Sequence, residues 1–360
     1  GSATRQSKRA VSLQQCSVAA RLTRSTRRFD VLEDGGALRI TTSPRSLSKP
    51  CCTTSSKRTR RRGKMRRLLL LAASTHALDA LHSLIDAHPK GLRHVRVAQT
   101  SSGRGLVATC PLAAEEPCLR VPFDLCAIEP EGGDSHWASR MASRLVRNEL
   151  EAAHKESLPG PPDVLTRWPD EAVDALGDPE LASEADAIFF WRDAQWAAHL
   201  ERHPGDQERD AYIDALDLVC SRTVRCGTNL VLAPLLDMAN HRPDGCSYVC
   251  EEDSVALYTS RALAEGDEVC LNYGARPNSE WFLHYGFLPP SNKNDVQSLG
   301  GPYSIGWSDL PLLDADLIVE ARECLDAVQG DVGMLEDPRR NIINEYRSQR
   351  RRLLREACGD

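Results

Sequence analysis

The sequence predicts an α+β protein in which short strands flank a block of helices. Three observations carry this. Apolar–polar alternation marks HVRVAQT (94–100), LVATC (106–110) and LRVPF (119–123) as strands. Helical patterns then dominate from about 135 to 220, broken once by the proline-rich LPGPP at 158–162. Alternation returns in NLVLAPLL (229–236), SYVCEE (247–252), SVALYTS (254–260) and DEVCLNY (267–273). Strands and helices segregated in this way fit an α+β architecture, not the βαβ alternation of a parallel sheet.

The elements follow in order. From Ala77 to Ala87, Leu78, Leu81, Leu84 and Ile85 recur at helical spacing. The stretch SSGRG (101–105) turns the chain between the first two strands, which predicts a β-hairpin. A mostly helical end is expected from about Ser308 onward. With 360 residues, 41% of them hydrophobic, the chain is long enough to bury a substantial core.

The net charge of −6 conceals an asymmetry. Residues 1–67 hold 18 Lys or Arg against 3 acidic residues, a net of +15, and the rest of the chain carries −21. The first 67 residues are rich in Ser, Thr and Arg, show no sustained period, and cannot bury enough apolar surface to order themselves. A disordered basic tail or targeting segment is expected there, with an organelle such as the chloroplast as its address. The run KRTRRRGKMRR also suits a nuclear address, and a cytoplasmic protein remains an alternative. The acidic remainder does not fit a general nucleic-acid binder. No apolar run approaches the roughly 18–20 residues of a membrane span, so a soluble protein without a membrane partner is expected. The thirteen Cys include no CxxC pair, and reduced thiols are expected. Cys246, Cys250 and His241 lie near one another, but their spacing matches no common zinc pattern, and no metal is expected.

One stretch poses a sharper question. In LAPLLDMANHRPDG (232–245) an apolar run ends abruptly in Asp237, Asn240 and His241, and a Pro-Asp-Gly turn follows. Asp or Asn at such a place can cap a turn, yet loops held by a rigid scaffold are also where binding groups gather. Four further segments help to decide: GRGLVA (103–108), SRTV (221–224), YGARPN (273–278) and YGF (285–287). Each alone is weak. In this order they resemble the SET-domain protein methyltransferases, in the branch of the Rubisco large-subunit and actin-histidine methyltransferases. The resemblance spans about residues 78–296.

The resemblance implies a SET fold of short curved β-sheets with a C-terminal pseudoknot, over residues 75–296. It implies a helical insert at about 127–219 and a partial helical C-terminal region, of substrate-docking type, at 297–360. It also implies S-adenosyl-L-methionine as cofactor. The turn residues Ser102, Gly103 and Arg104 would lie along the cofactor. Arg222 would pair with its carboxylate, since a planar guanidinium can grip a carboxylate with two charge-assisted bonds. Asn240 would serve the amino-carboxylate and His241 the adenine, while Asp237 would cap and shape the bend. Tyr273 matches the catalytic Tyr. Tyr285 would line the acceptor channel with Val224 and Leu236, and Gly286 and Phe287 would pack near the adenine.

Lysine is the expected acceptor. An imidazole acceptor needs a polar partner for its second ring nitrogen, and Val224 offers none, although Thr223 or Tyr285 could. A protein-histidine methyltransferase and a catalytically inactive SET-fold binding module stay open as alternatives. The expected partner is a protein substrate, with the enzyme acting as a monomer and without specific nucleic acid.

Overall fold

The computed structural model describes residues 75–300, 303–307, 310, 315–328 and 338–359. The expectation of a disordered or targeting segment at 1–67 lies outside these residues. Helix α1 (Thr75–Ala87) buries Leu81 and Ile85 at the spacing that predicted it. Strands β1 (Leu92–Arg93) to β4 follow: β2 (Val95–Thr100) and β3 (Gly103–Ala108) form the expected antiparallel hairpin, and β4 is Pro117–Pro122.

Between 127 and 222 the chain departs from a purely helical block. Its first piece, β5 (Ala127–Pro130), is a strand. Five helices come next: α2 (Trp137–Val146), α3 (Ala152–Ser157), α4 (Asp170–Asp174), α5 (Pro179–Arg202) and α6 (Arg209–Arg222). The strands then resume with β6 (Val224–Cys226), β7 (Asn229–Leu232), β8 (His241–Cys250), β9 (Ser254–Tyr258) and β10 (Glu268–Val269). Strand β5 is recruited by pairing with β7, Ala127 opposite Leu232, so four residues beside the helices belong to a sheet.

Three small antiparallel sheets make the strand region, in the orders β1-β4-β9-β8, β10-β3-β2 and β5-β7-β6. Val95, Leu106, Leu119, Val121, Val255, Leu257 and Val269 fill the core between them. Each such side chain contributes on the order of 1.5–3 kcal/mol by leaving water.

After β10 the chain passes against the loop that opens β8. Leu271 forms isolated parallel bridges to both His241 and Cys246. Its N–H donates to the Asn240 carbonyl at 2.8 Å, while the Cys246 N–H donates to the Cys270 carbonyl at 2.7 Å. The Asn272 amide adds a bond to the Pro243 carbonyl at 2.8 Å. Residues 270–272 are thus gripped by the 240–246 loop from both of its ends. This crossing has the form of the pseudoknot that the resemblance implies, and it brings Tyr273 beside Asn240 and His241.

A short helical turn, α7 (Asn278–Glu280), runs into a single π turn at Trp281–Tyr285. Beyond Ser308 the regular elements among the described residues are two helices, as the pattern predicts, and a hairpin precedes them. Strands β11 (Val296–Gly300) and β12 (Tyr303–Gly306) form a hairpin before α8 (Ala315–Val328) and α9 (Arg340–Cys358). Helix α9 docks on the helical block: Tyr346 packs on Phe282 at 5.2 Å, its hydroxyl donates to Asp178 at 2.6 Å, and Arg350 pairs with the same carboxylate. No helix among the described residues is long and apolar enough to cross a membrane.

The cysteines require one correction. Cys226 and Cys250 form a disulfide, with Cα atoms 5.5 Å apart. They stand 24 residues apart in sequence, and only the approach of β6 to β8 brings them within bonding reach. The bond also removes Cys250 from the grouping with Cys246 and His241.

Candidate functional site

Three segments converge under the pseudoknot. The first is the β2–β3 turn. Ser102 is exposed at its tip, Gly103 has φ of +103°, and the Arg104 guanidinium donates to the Ser157 carbonyl at 2.6 Å. Burial, and secondarily the nearby Arg222 charge, push the Arg104 pKa down against the opposite pull of Asp237. Gly105 is closely approached: a Cβ there would lie 2.6 Å from the Asn240 side-chain nitrogen and 3.0 Å from Glu268 Oε1, so the bonded pair would have to shift.

The second segment joins the end of α6 to the bend at 235–241. Arg222 donates through Nη1 to the Asp237 carbonyl, and its Nε is buried without a partner. The Asp237 side chain is fully buried and accepts from His154 Nε2 at 2.8 Å, leaving Oδ1 unpartnered. It makes no capping bond to the short 3₁₀ turn Leu236–Met238. The expectation that Asp237 caps the bend is therefore corrected. Its carboxylate points away from the local backbone to a histidine of α3, which ties the bend to the helical block. Asn240 donates to Glu268 Oε1 at 2.9 Å, and the Thr100 hydroxyl donates to the same oxygen at 2.8 Å.

The third segment carries the aromatics. The Tyr273 hydroxyl donates to the Ala239 carbonyl at 2.6 Å, and burial raises its pKa well above the usual phenol range, with the Arg222 charge opposing. His241 Nδ1 accepts from the Tyr273 N–H at 3.2 Å. The His241 ring lies 4.5 Å from Trp281, 5.2 Å from Tyr273 and 6.2 Å from Phe287. Tyr285 packs on Tyr273 at 5.3 Å and on Trp281 at 5.1 Å. Gly286 has φ of +74°, and a Cβ on it would meet the Asp163 backbone at 2.7 Å, so its open side faces the helical block.

A narrow cavity of about 30 Å³ lies where these segments meet. Arg222, Val224, Leu236, Asp237, Tyr273 and Tyr285 line it, together with Thr223 and Tyr248. All four residues expected to form the acceptor channel thus share one slot, with room for about two water molecules. Ser102, Gly103, Arg104, Asn240, His241, Gly286 and Phe287 stand outside its lining. Sequence reasoning missed Glu268, His154 and Trp281. Glu268 had a signal, a carboxylate at the head of the apolar run Val269–Leu271 five residues before Tyr273; His154, in AAHKES, had none.

Neutral histidines are built into this region and into the helical block, which makes stability pH-dependent. Burial lowers the pKa of His241, His136 and His284 to about 4 in each case. The first two accept hydrogen bonds from backbone N–H groups, which only the neutral ring can do. Below pH of about 6.5 the unfolded chain protonates these rings while the folded chain resists, so the unfolded state binds more protons. Stability should be flat above that pH and fall as pH drops toward about 4. Thermal unfolding midpoints at pH of about 7.5 and about 5 check this; a midpoint equal or higher at the lower pH would overturn it.

Comparison with known proteins agrees with this geometry. Residues 103–274 match the family model of the SET domain. The chain is similar to a ribosomal lysine N-methyltransferase of Schizosaccharomyces pombe, with 29% identity over 153 residues, 38% of this chain and 27% of that protein. It is also similar to the actin-histidine N-methyltransferase of Drosophila melanogaster, with 31% identity over 70 residues, 19% of this chain and 13% of that protein. The chain spans about a quarter or less of the length of these relatives. Among solved structures, the SET domain of LSMT bound to lysine and AdoHcy superposes with a TM-score of 0.59 at 15% identity, covering 79% of this chain and 91% of that one. Rubisco LSMT bound to AdoMet gives 0.57 at 16% identity, over 79% and 91%. This part of the chain is therefore a SET domain. Its fold is that of the LSMT structures.

Proposed function

We propose that the protein transfers a methyl group from S-adenosyl-L-methionine to a lysine side chain of a protein substrate. The observation that carries this reading is the slot between Val224, Leu236, Tyr273 and Tyr285, with the Tyr273 hydroxyl fixed on the Ala239 carbonyl. The residues fit the cofactor. Arg222 keeps a buried donor without a partner, next to the bend that presents Asn240. For a group carrying both carboxylate and ammonium, Arg222 would supply a donor for the first and the hydrogen-bonded Asn240–Glu268 pair an acceptor for the second. The His241–Trp281–Phe287 cluster supplies flat apolar surface for a planar base. The cofactor, when bound, supplies a methyl group already activated by the positive sulfonium.

The chain's own residues then have three tasks. The slot holds the acceptor in line, a proximity effect that can be worth several kcal/mol. Apolar walls and the positive Arg222 disfavour a lysine ammonium and so keep a lone pair available. Tyr273, donating to Ala239, keeps its oxygen lone pairs turned to the slot, where they can accept an N–H from the amine. Lysine is favoured over histidine because the slot is narrow, and because the Tyr248 hydroxyl on its wall is already engaged with the Arg225 backbone at 3.3 Å.

Arg222→Ala should weaken S-adenosylmethionine binding at least tenfold, since losing a hydrogen bond to a charged group costs on the order of 1.5–3 kcal/mol. Unchanged affinity in calorimetric titration removes Arg222 from the site. The activity itself is tested by incubating the full chain with labelled cofactor and a cell lysate, followed by mass spectrometry. A methyl group on lysine supports the reading, one on an imidazole replaces lysine with histidine, and cofactor binding without turnover on any protein points to a binding module.

A further inference from the structure

The slot lies on a seam between two sheets. Strand β6 is the edge of the sheet β5-β7-β6 and β8 the edge of the sheet β1-β4-β9-β8, and among the described residues no backbone ladder joins these edges. The Cys226–Cys250 disulfide crosses the seam. So does the Tyr248 hydroxyl, which accepts from the Arg225 N–H and donates to the Arg225 carbonyl, each at 3.3 Å. Both of these hydrogen bonds are long, so the covalent bond is the firmer tie.

Side chains alternate along a strand, and residues two apart share a face. Val224 therefore stands on the face of β6 that carries Cys226, and Tyr248 on the face of β8 that carries Cys250. The burial agrees: Val224 and Cys226 are buried with Arg225 less so between them, and Val249, 46% exposed, points outward between Tyr248 and Cys250. Val224 and Tyr248 both line the slot. The disulfide thus fixes the spacing of two slot walls from the adjoining position on each strand.

Eight other described cysteines are free, so the bond is not one staple of a disulfide-built scaffold. It is also approachable from one end, because Cys250 is only half-buried beside the exposed Val249, whereas Cys226 is buried.

We propose that the Cys226–Cys250 bond is a redox switch on the slot. Oxidised, it pins β6 against β8 and holds the slot to its narrow form. Reduced by a protein dithiol, it lets the two edges part, and the acceptor loses its alignment. In the reduction a thiolate of the dithiol attacks Cys250 Sγ, the S–S bond breaks, and Cys226 leaves as a thiolate that takes up a proton. The second thiol of the partner then displaces Cys250, which is protonated in turn. The cysteine pair gains two electrons and two protons, and the partner becomes a disulfide. That the slot receives a methyl acceptor rests on the function proposed above; the opening of the seam does not.

The test compares the full chain oxidised with oxidised glutathione and reduced with dithiothreitol, at a temperature where both forms are folded. Peptide mapping should find Cys226 joined to Cys250 in the first form and both alkylated in the second. With saturating labelled S-adenosylmethionine and lysate protein as acceptor, reduction should lower the rate of methyl transfer at least about tenfold, because misplacing an acceptor by about 1 Å is enough for such a loss. Cofactor affinity should stay within about threefold, and reoxidation should restore the rate. Cys226→Ser and Cys250→Ser should hold the low rate whether or not dithiol is present, while Cys110→Ser, at a free thiol elsewhere, should respond as the parent does. Amide hydrogen exchange at 224–226 and 247–250 should quicken at least about tenfold on reduction, with the β2–β3 hairpin unchanged. If the serine variants do not fold, the two redox forms of the parent still decide. Equal or higher rates after reduction, equal exchange in the two forms, or no Cys226–Cys250 bond in the oxidised chain overturns the proposal. Faster exchange on reduction, with no methyl transfer in either form, sinks the methyltransferase reading and leaves the switch standing.

Discussion

Tyr273→Phe should lower methyl transfer at least about a hundredfold while leaving S-adenosylmethionine affinity within about threefold. The substitution removes one oxygen and keeps the ring, so the packing on His241 at 5.2 Å and on Tyr285 at 5.3 Å is preserved. What is lost is the hydroxyl that the Ala239 carbonyl holds in the slot. A hundredfold corresponds to about 2.7 kcal/mol, in keeping with the removal of one positioned polar group from a water-poor site. The Ala239 carbonyl, left without its donor, adds a modest stability cost of about 1 kcal/mol. Single-turnover kinetics with saturating cofactor separate the effects: a normal rate would remove Tyr273 from the chemistry, and a rate lowered only through weaker cofactor binding would reassign it to that task.

His154→Ala is expected to have the largest effect on stability. Its ring and the Asp237 carboxylate are almost wholly buried and bonded at 2.8 Å, and the second carboxylate oxygen has no partner. Removing the ring leaves a buried carboxylate unpaired, at a cost on the order of 3 kcal/mol. The loss should also reach the cofactor, because the same bend carries Asn240 and His241 and its backbone carbonyl at Asp237 receives Arg222. Urea titration reads the stability, and calorimetry on the folded variant reads the binding. His154→Gln, whose amide can still donate, should recover part of both. A variant as stable as the parent would show that the pair does not hold the bend.

The five short segments from GRGLVA to YGF lay along the sequence in a recognisable order, and the SET fold follows from that order. Tyr273, Tyr285, Val224 and Leu236 were legible for the same reason, and the structure gathers all four around one slot. Alternation and short apolar runs likewise marked β2, β3, β4, β7 and β9, and β3, β7 and β9 prove to be buried along most of their length, on both faces.

Other features have no local signature. His154 sits in a short polar helix 83 residues before Asp237, and nothing near either residue announces a buried pair. Cys226 and Cys250 become bonding partners only when β6 and β8 are brought side by side, so the expectation of reduced thiols failed there. Asp237 looked like a turn cap because caps are local bonds and readable from a few residues, whereas its real partner arrives from another helix. Strand β5 and the β11–β12 hairpin escaped periodicity because their short sequences, AIEP, VQSLG and YSIG, lack a clear apolar run and are fixed by pairing. The sequence by itself therefore determined the class of fold and the aromatic slot, since these rest on side-chain type, spacing and order. The tertiary structure alone decided how the bend is anchored and which cysteines join, since each depends on groups far apart in the chain meeting where water is excluded.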